Sequence, residues 1–167
     1  AGDTTAAYAG SRRVEAPSEA QIQQAIASHT EPFLSDGGED IFQIREEIEG
    51  AMWDGAGVVR DHSGLEATQA VIDECTERLG HVTIPAVRES NHAWQEWLDV
   101  RNILDVARLT CASALARTES RGSHFRSDYP ERDDEHWLRN VLVQRGGENE
   151  PPRIWAEPVR FTRLSPP

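Results

Sequence analysis

Two apolar stripes limit what this chain can become. Leu65, Thr68, Ile72, Cys75 and Leu79 recur at alternating spacings of 3 and 4. Trp97, Val100, Leu104, Ala107, Cys111, Ala114 and Thr118 repeat the same rhythm without a fault. That period puts each set on one face of an α-helix, and a helix with one apolar face must bury it against another element. Ile41, Ile44, Ile48 and Met52 supply a further stripe. An antiparallel helical bundle is the architecture that satisfies all three.

Punctuation residues set the expected boundaries. Ala1 to Gly10 reads as the tail of a small-residue helix, too short to be stable alone. Ser18 caps a helix to about His29, and Pro32 with Asp36-Gly37-Gly38 forms the next break. The Ile41 helix is expected to fray through Gly55 and Gly57, Ser63 to cap the next, and Gly80 to end it. The longest helix, from about Glu89 to Thr118, would span ~45 Å at 1.5 Å per residue. Asp133 is a candidate N-cap for a short helix carrying Trp137 and Leu138. Val141 to Arg145, the Gly146-Gly147 turn and Ile154 to Phe161 read as a loose hairpin, with Pro151, Pro152 and Pro158 at edge positions. The expected organisation is therefore 1–30, a linker and helix; 31–120, the bundle; and 121–167, a loop, short helix and hairpin tail.

Leu, Ile, Val and Phe make up only about a fifth of the chain, and the net charge is -12. Five Trp and the periodic helices still argue for a folded domain, one with a thin core that leans on a neighbour. The acidic balance excludes a nucleic-acid partner, which needs clustered positive charge. No stretch reaches the roughly 18 apolar residues of a membrane span, so no direct insertion is expected. Cys75 and Cys111 fall on the core stripes and read as buried free thiols. The start at Ala1, without Met, reads as an excised or processed piece.

The segment Glu119 to Leu138 has a different grammar. Arg121, Arg126 and Arg132 alternate with Glu119, Asp128, Glu131, Asp133, Asp134 and Glu135, with Gly122, His124, Tyr129 and Pro130 between them. Guanidinium forks grip carboxylates with paired hydrogen bonds, and Gly supplies positive φ. This describes an irregular segment pinned by charge pairs. His124, Asp128, Asp133, Asp134 and His136 also raise a metal site, and with it a hydrolase using His124 and His136. Their spacing matches no standard zinc signature, and neighbouring arginines oppose a cation. Nothing orders Cys111 beside His92 or His124 for nucleophilic catalysis, and GxGxxG, a phosphate loop and CxxC are all missing from the sequence.

Several runs carry a family resemblance. They are Arg101 to Ala107, Ala114 to Arg117, Glu119-Ser120-Arg121-Gly122-Ser123-His124-Phe125-Arg126, and Asp128 to Asp134. Arg45 to Ile48 and Met52 to Arg60 add to them, and Val159 to Leu164 is similar to the family's C-terminal strand. Together they resemble the C-terminal domain of the succinate dehydrogenase and fumarate reductase flavoproteins, which L-aspartate oxidase shares. The resemblance implies a mainly α fold: an antiparallel, spectrin-repeat-like three-helix bundle with a C-terminal loop and short β-hairpin extension. It implies FAD, bound by an upstream flavin domain of the same polypeptide and not by this segment. It also implies contact with an iron–sulfur subunit in respiratory members, and a cytoplasmic place that reaches the inner face of the plasma membrane only through partner subunits. The family's catalytic, flavin-binding and substrate-binding residues belong upstream of Ala1, so none is carried over. Arg121, His124, Arg126, Arg132 and Asp133 are expected to fix the loop and the seam with the flavin domain. A free-standing interaction module derived from the domain is the competing expectation.

Overall fold

The computed structural model describes residues 2–11, 15–146 and 151–161, with side chains from residue 5 onward. The chain separates into two compact units, Ala1–Glu31 and Pro32–Pro167. The first holds α1 (Gly2–Ser11) and α2 (Glu19–Thr30). A reciprocal capping box opens α2: the Gln21 N–H donates to Ser18 Oγ at 3.3 Å and the Ser18 N–H to Gln21 Oε1 at 2.8 Å. No residue of α2 is buried.

The second unit is built on α3 (Ile41–Ala56), α4 (His62–Leu79) and α5 (His92–Ala116), an antiparallel three-helix bundle with a C-terminal β extension. The three stripes meet as expected. Ile44, Ile48, Leu65, Ile72, Cys75, Val100 and Cys111 are all wholly or almost wholly buried in one core, which Val82 and Ile84 of the α4–α5 connection complete. Both cysteines are free and buried. Burial pushes the Cys111 thiol up to about 11, so it stays protonated. Trp97 is in the core and donates its indole N–H to the Leu79 carbonyl at 3.2 Å, satisfying an α4 C-terminal acceptor. Trp94 meets Phe33 edge-on, with centroids 5.1 Å apart.

The boundaries differ from expectation in instructive ways. Helix α3 does not fray at Gly55 but runs through it, because Gly55 is where α3 lies against α4. A Cβ there would sit 2.2 Å from Thr68 Oγ1 and 2.4 Å from the Gly64 carbonyl oxygen. The α4 cap is Asp61, not Ser63: its Oδ1 accepts the Gly64 N–H at 2.8 Å and the Ser63 hydroxyl at 2.9 Å. A carboxylate suits the positive end of a helix better than a hydroxyl. Helix α5 starts later and stops earlier, about 37 Å long at 1.5 Å per residue. Ser90 at φ 53 breaks the chain before it, and Asn91 caps it by accepting the Trp94 N–H at 3.0 Å. Thr118 consequently lies beyond the helix.

Two small sheets follow. In the first, β1 (Val59–Arg60) pairs in parallel with β2 (Phe125–Arg126). In the second, β3 (Arg139–Gln144) pairs antiparallel with β4 (Arg153–Pro158), in the register Leu142 opposite Trp155. The hairpin begins earlier than expected, and its second strand ends at Pro158 instead of reaching Phe161, since proline cannot continue the ladder. Gly147 of the expected turn, and 162–164 of the C-terminal run, lie outside the described residues. An Arg145–Asp105 ion pair at 2.9 Å joins the hairpin side to α5. No helix among the described residues is long and apolar enough to cross a membrane.

Candidate functional site

The arginine-rich segment leaves α5 where Arg117 turns extended, at φ -90 and ψ 111. Its first anchor is Glu119, whose side chain is fully buried. The carboxylate accepts from Arg117 Nη1, from Arg121 Nε at 2.8 Å and Nη2 at 3.1 Å, and from the Asp133 N–H at 2.8 Å. Burial alone would raise its pKa, but the Arg121 fork, the Asp133 amide and Arg117 outweigh that and hold it low. Arg117 also donates to the carbonyls of Trp137 at 3.2 Å and Arg139 at 2.5 Å and stacks 5.1 Å above the Trp137 ring. One buried carboxylate thus organises both sides of the loop.

Arg126 is the second anchor, and it is fully buried. Its Nε and Nη2 donate to the two oxygens of Asp128 at 2.7 and 2.6 Å. Its Nη1 donates to the carbonyls of Ala114 at 2.8 Å and Arg117 at 3.2 Å, acceptors in the last turn and C-cap of α5. Asp128 Oδ2 accepts the His62 N–H, the first residue of α4, at 3.1 Å. A cation therefore sits on the negative end of one helix and its bound anion on the positive end of the next. Through the Arg126 hydrogen bonds the Asp128 carboxyl is held at about 2. Tyr129 lies under the guanidinium at 5.0 Å.

The remaining sequence-predicted residues fall around these two. Arg121 bridges Glu119 and Asp134, reaching the latter at 2.6 Å, and Arg132 takes Asp134 at 2.8 Å. Asp133 caps α6 (Asp134–Trp137), accepting the His136 N–H at 3.0 Å and pairing with its ring at 2.9 Å. Gly122, at φ +58, occupies the first central position of the two-residue turn that closes the Arg121–His124 bridge, where type II′ turns carry glycine. Among the described residues no three His, Cys, Asp or Glu converge as a metal would need.

His124 stands apart from the carboxylates. Its Nδ1 faces Arg60 Nη1 at 3.3 Å and its Nε2 faces the Arg117 carbonyl at 3.4 Å, which fits a neutral ring protonated at Nε2. Burial, opposed by the Arg117 carbonyl and reinforced by Arg60, Arg117 and Arg126, lowers its pKa. The Arg60–His124 pairing was missed from sequence. It joins residues 64 apart that belong to no common motif, and only the β1–β2 ladder brings them together.

Comparison with known proteins follows the same outline. Residues 45–167 match a profile described as fumarate reductase flavoprotein C-term. The fumarate reductase flavoprotein subunit of Haemophilus influenzae is 33% identical over 168 residues, covering 95% of this chain and 28% of its own. The 8-methylmenaquinol:fumarate reductase flavoprotein subunit of Wolinella succinogenes is 38% identical over 105 residues, covering 62% of this chain and 17% of its own. Among solved structures, the apo Sdh1 complex of Mycobacterium smegmatis superposes at a TM-score of 0.85 with 27% identity, over 99% of this chain and 28% of that one. The chain spans about a quarter of the length of such relatives.

Proposed function

We propose a bracing role, and no catalytic one, for this chain, which belongs to the fumarate reductase flavoprotein C-terminal domain family. The flavin-binding portion of such a flavoprotein would hold FAD and carry out hydride transfer with a C4 dicarboxylate, and this portion would stiffen it. The observation that carries the reading is internal satisfaction. Arg126, suited by charge to grip an anionic substrate, is fully buried and bonded to its own chain, as is the carboxylate of Glu119. Several large apolar side chains face outward among the charged ones: Leu34 and Trp53 are more than four-fifths exposed, and Val58, Val59 and Val106 more than half. Covering such side chains contributes roughly 25 cal/mol per Å².

The organisation proposed is a linker and helix over 1–30, the bundle over 31–120, and the loop and hairpin over 121–167. Arg121, His124, Arg126, Arg132 and Asp133 would keep the loop in the shape that meets the flavin domain. An iron–sulfur subunit is the proposed second partner, with peripheral membrane placement reached through such partners. The test compares thermal unfolding of this chain alone with the same chain joined to the flavin-binding polypeptide. A rise of several degrees in the joined protein is expected; equal midpoints would end the bracing reading.

A further inference from the structure

Arg60 contrasts with Arg78, Arg117, Arg121 and Arg126, each of which is partly or fully enclosed and pairs with an acid. Its Nε donates to the Gly57 carbonyl at 2.8 Å and its Nη1 to His124 Nδ1. Among the described residues no carboxylate reaches it, and its Nη2 has no partner. The surroundings make this costly: burial lowers the Arg60 pKa, and Arg126, already bonded to its own acid Asp128, lowers it further. On the α5 side Cys111 is a protonated thiol and adds no charge. The guanidinium opens on a shallow depression of about 300 Å³ lined by Arg60, Thr110, Ser113, Arg117, His124 and Asn140. Among the described residues no acid lines it, in a molecule carrying a net charge of -12.

We propose that this depression binds a small oxyanion, a carboxylate or phosphate from solution, with Arg60 Nη2 as its charged ligand and the Asn140 amide as a neutral donor. Thr110 and Ser113 direct their hydroxyl hydrogens to the Val106 and Thr110 carbonyls, so they shape the wall and do not donate. His124 reports occupancy, because a negative charge beside Arg60 offsets the part of the lowering that the neighbouring arginines add to that of burial. Anion binding and His124 protonation are therefore linked.

The experiment follows the His124 ring by NMR in the full 167-residue chain while acetate, and separately inorganic phosphate, is added at constant ionic strength. Saturable shifts and a rise in the His124 titration midpoint are expected. Arg60→Gln should weaken binding roughly tenfold or more, as loss of a charge-assisted hydrogen bond does, whereas Arg45→Gln, on α3 and outside the depression, should leave it unchanged. Asn140→Asp, which tethers a carboxylate at the rim, should raise the His124 midpoint without added anion and block the acetate response. Shifts that never saturate, or that are the same in Arg60→Gln and Arg45→Gln, would overturn the proposal. So would an Asn140→Asp variant whose His124 midpoint does not move.

Discussion

Arg126 has no exposed surface, yet each of its donors is directed at a specific oxygen. Arg126→Met keeps the volume but strips Asp128 and the α5 carbonyls of their partner. A loss of about 3 kcal/mol is expected in urea unfolding, the low end for breaking a buried pair because Asp128 still reaches water. Arg126→Lys should recover only part of it, since an ammonium cannot make the two-pronged contact. The acid side has a definite sign. Asp128 and Glu119 are depressed in the fold, so their contribution is complete above the unfolded value of about 4 and is lost as pH falls toward the folded values, about 2 for Asp128. Asp128→Asn should flatten the stability loss between pH 4 and pH 2, read as urea midpoints. At this scale the sequence showed that charge pairs would pin the segment around Arg126 and Asp128. It could not show that this pair bridges two helix ends, because the partners are backbone groups brought close by packing.

The three apolar stripes were legible because a 3.6-residue period survives any tertiary context. Helix ends were less so, since neighbours decide them. Gly55 reads locally as a breaker, but it is the point at which two backbones touch. Gly55→Ala is therefore expected to cost about 1–3 kcal/mol by overpacking, although alanine is the better helix former. Gly122 offers the contrast. Nothing lies within 4 Å of a Cβ built there, so Gly122→Ala should cost about 1–2 kcal/mol purely from its φ of +58. Thermal melts of the two variants, each with an added Gly50→Ala control in open helix surface, separate crowding from backbone strain.

The whole molecule is acidic, thinly cored and apolar where Trp53, Leu34 and Val106 face out. Trp53→Ser should change the stability of this chain alone by less than about 0.5 kcal/mol, as surface substitutions do. In the protein joined to its flavin-binding portion the same change should lower the melting temperature measurably. An equal effect in both settings would assign Trp53 to the fold of this chain and not to an interface. The family was legible from the ordered runs around Glu119 to Asp134. The unpaired Arg60 was not, for a lone arginine before a helix cap looks like any surface charge.

The parallel ladder that holds Phe125 and Arg126 against Val59 and Arg60 also orders events in time. It closes a span of 66 residues, a closure that costs least entropy once α4 and α5 have paired, so it is expected to form late. Residues that lock only at that last stage change how fast the chain comes apart more than how fast it assembles. In stopped-flow chevrons, Arg126→Met should speed escape from the native state, raising the unfolding limb while leaving the refolding limb almost where it was.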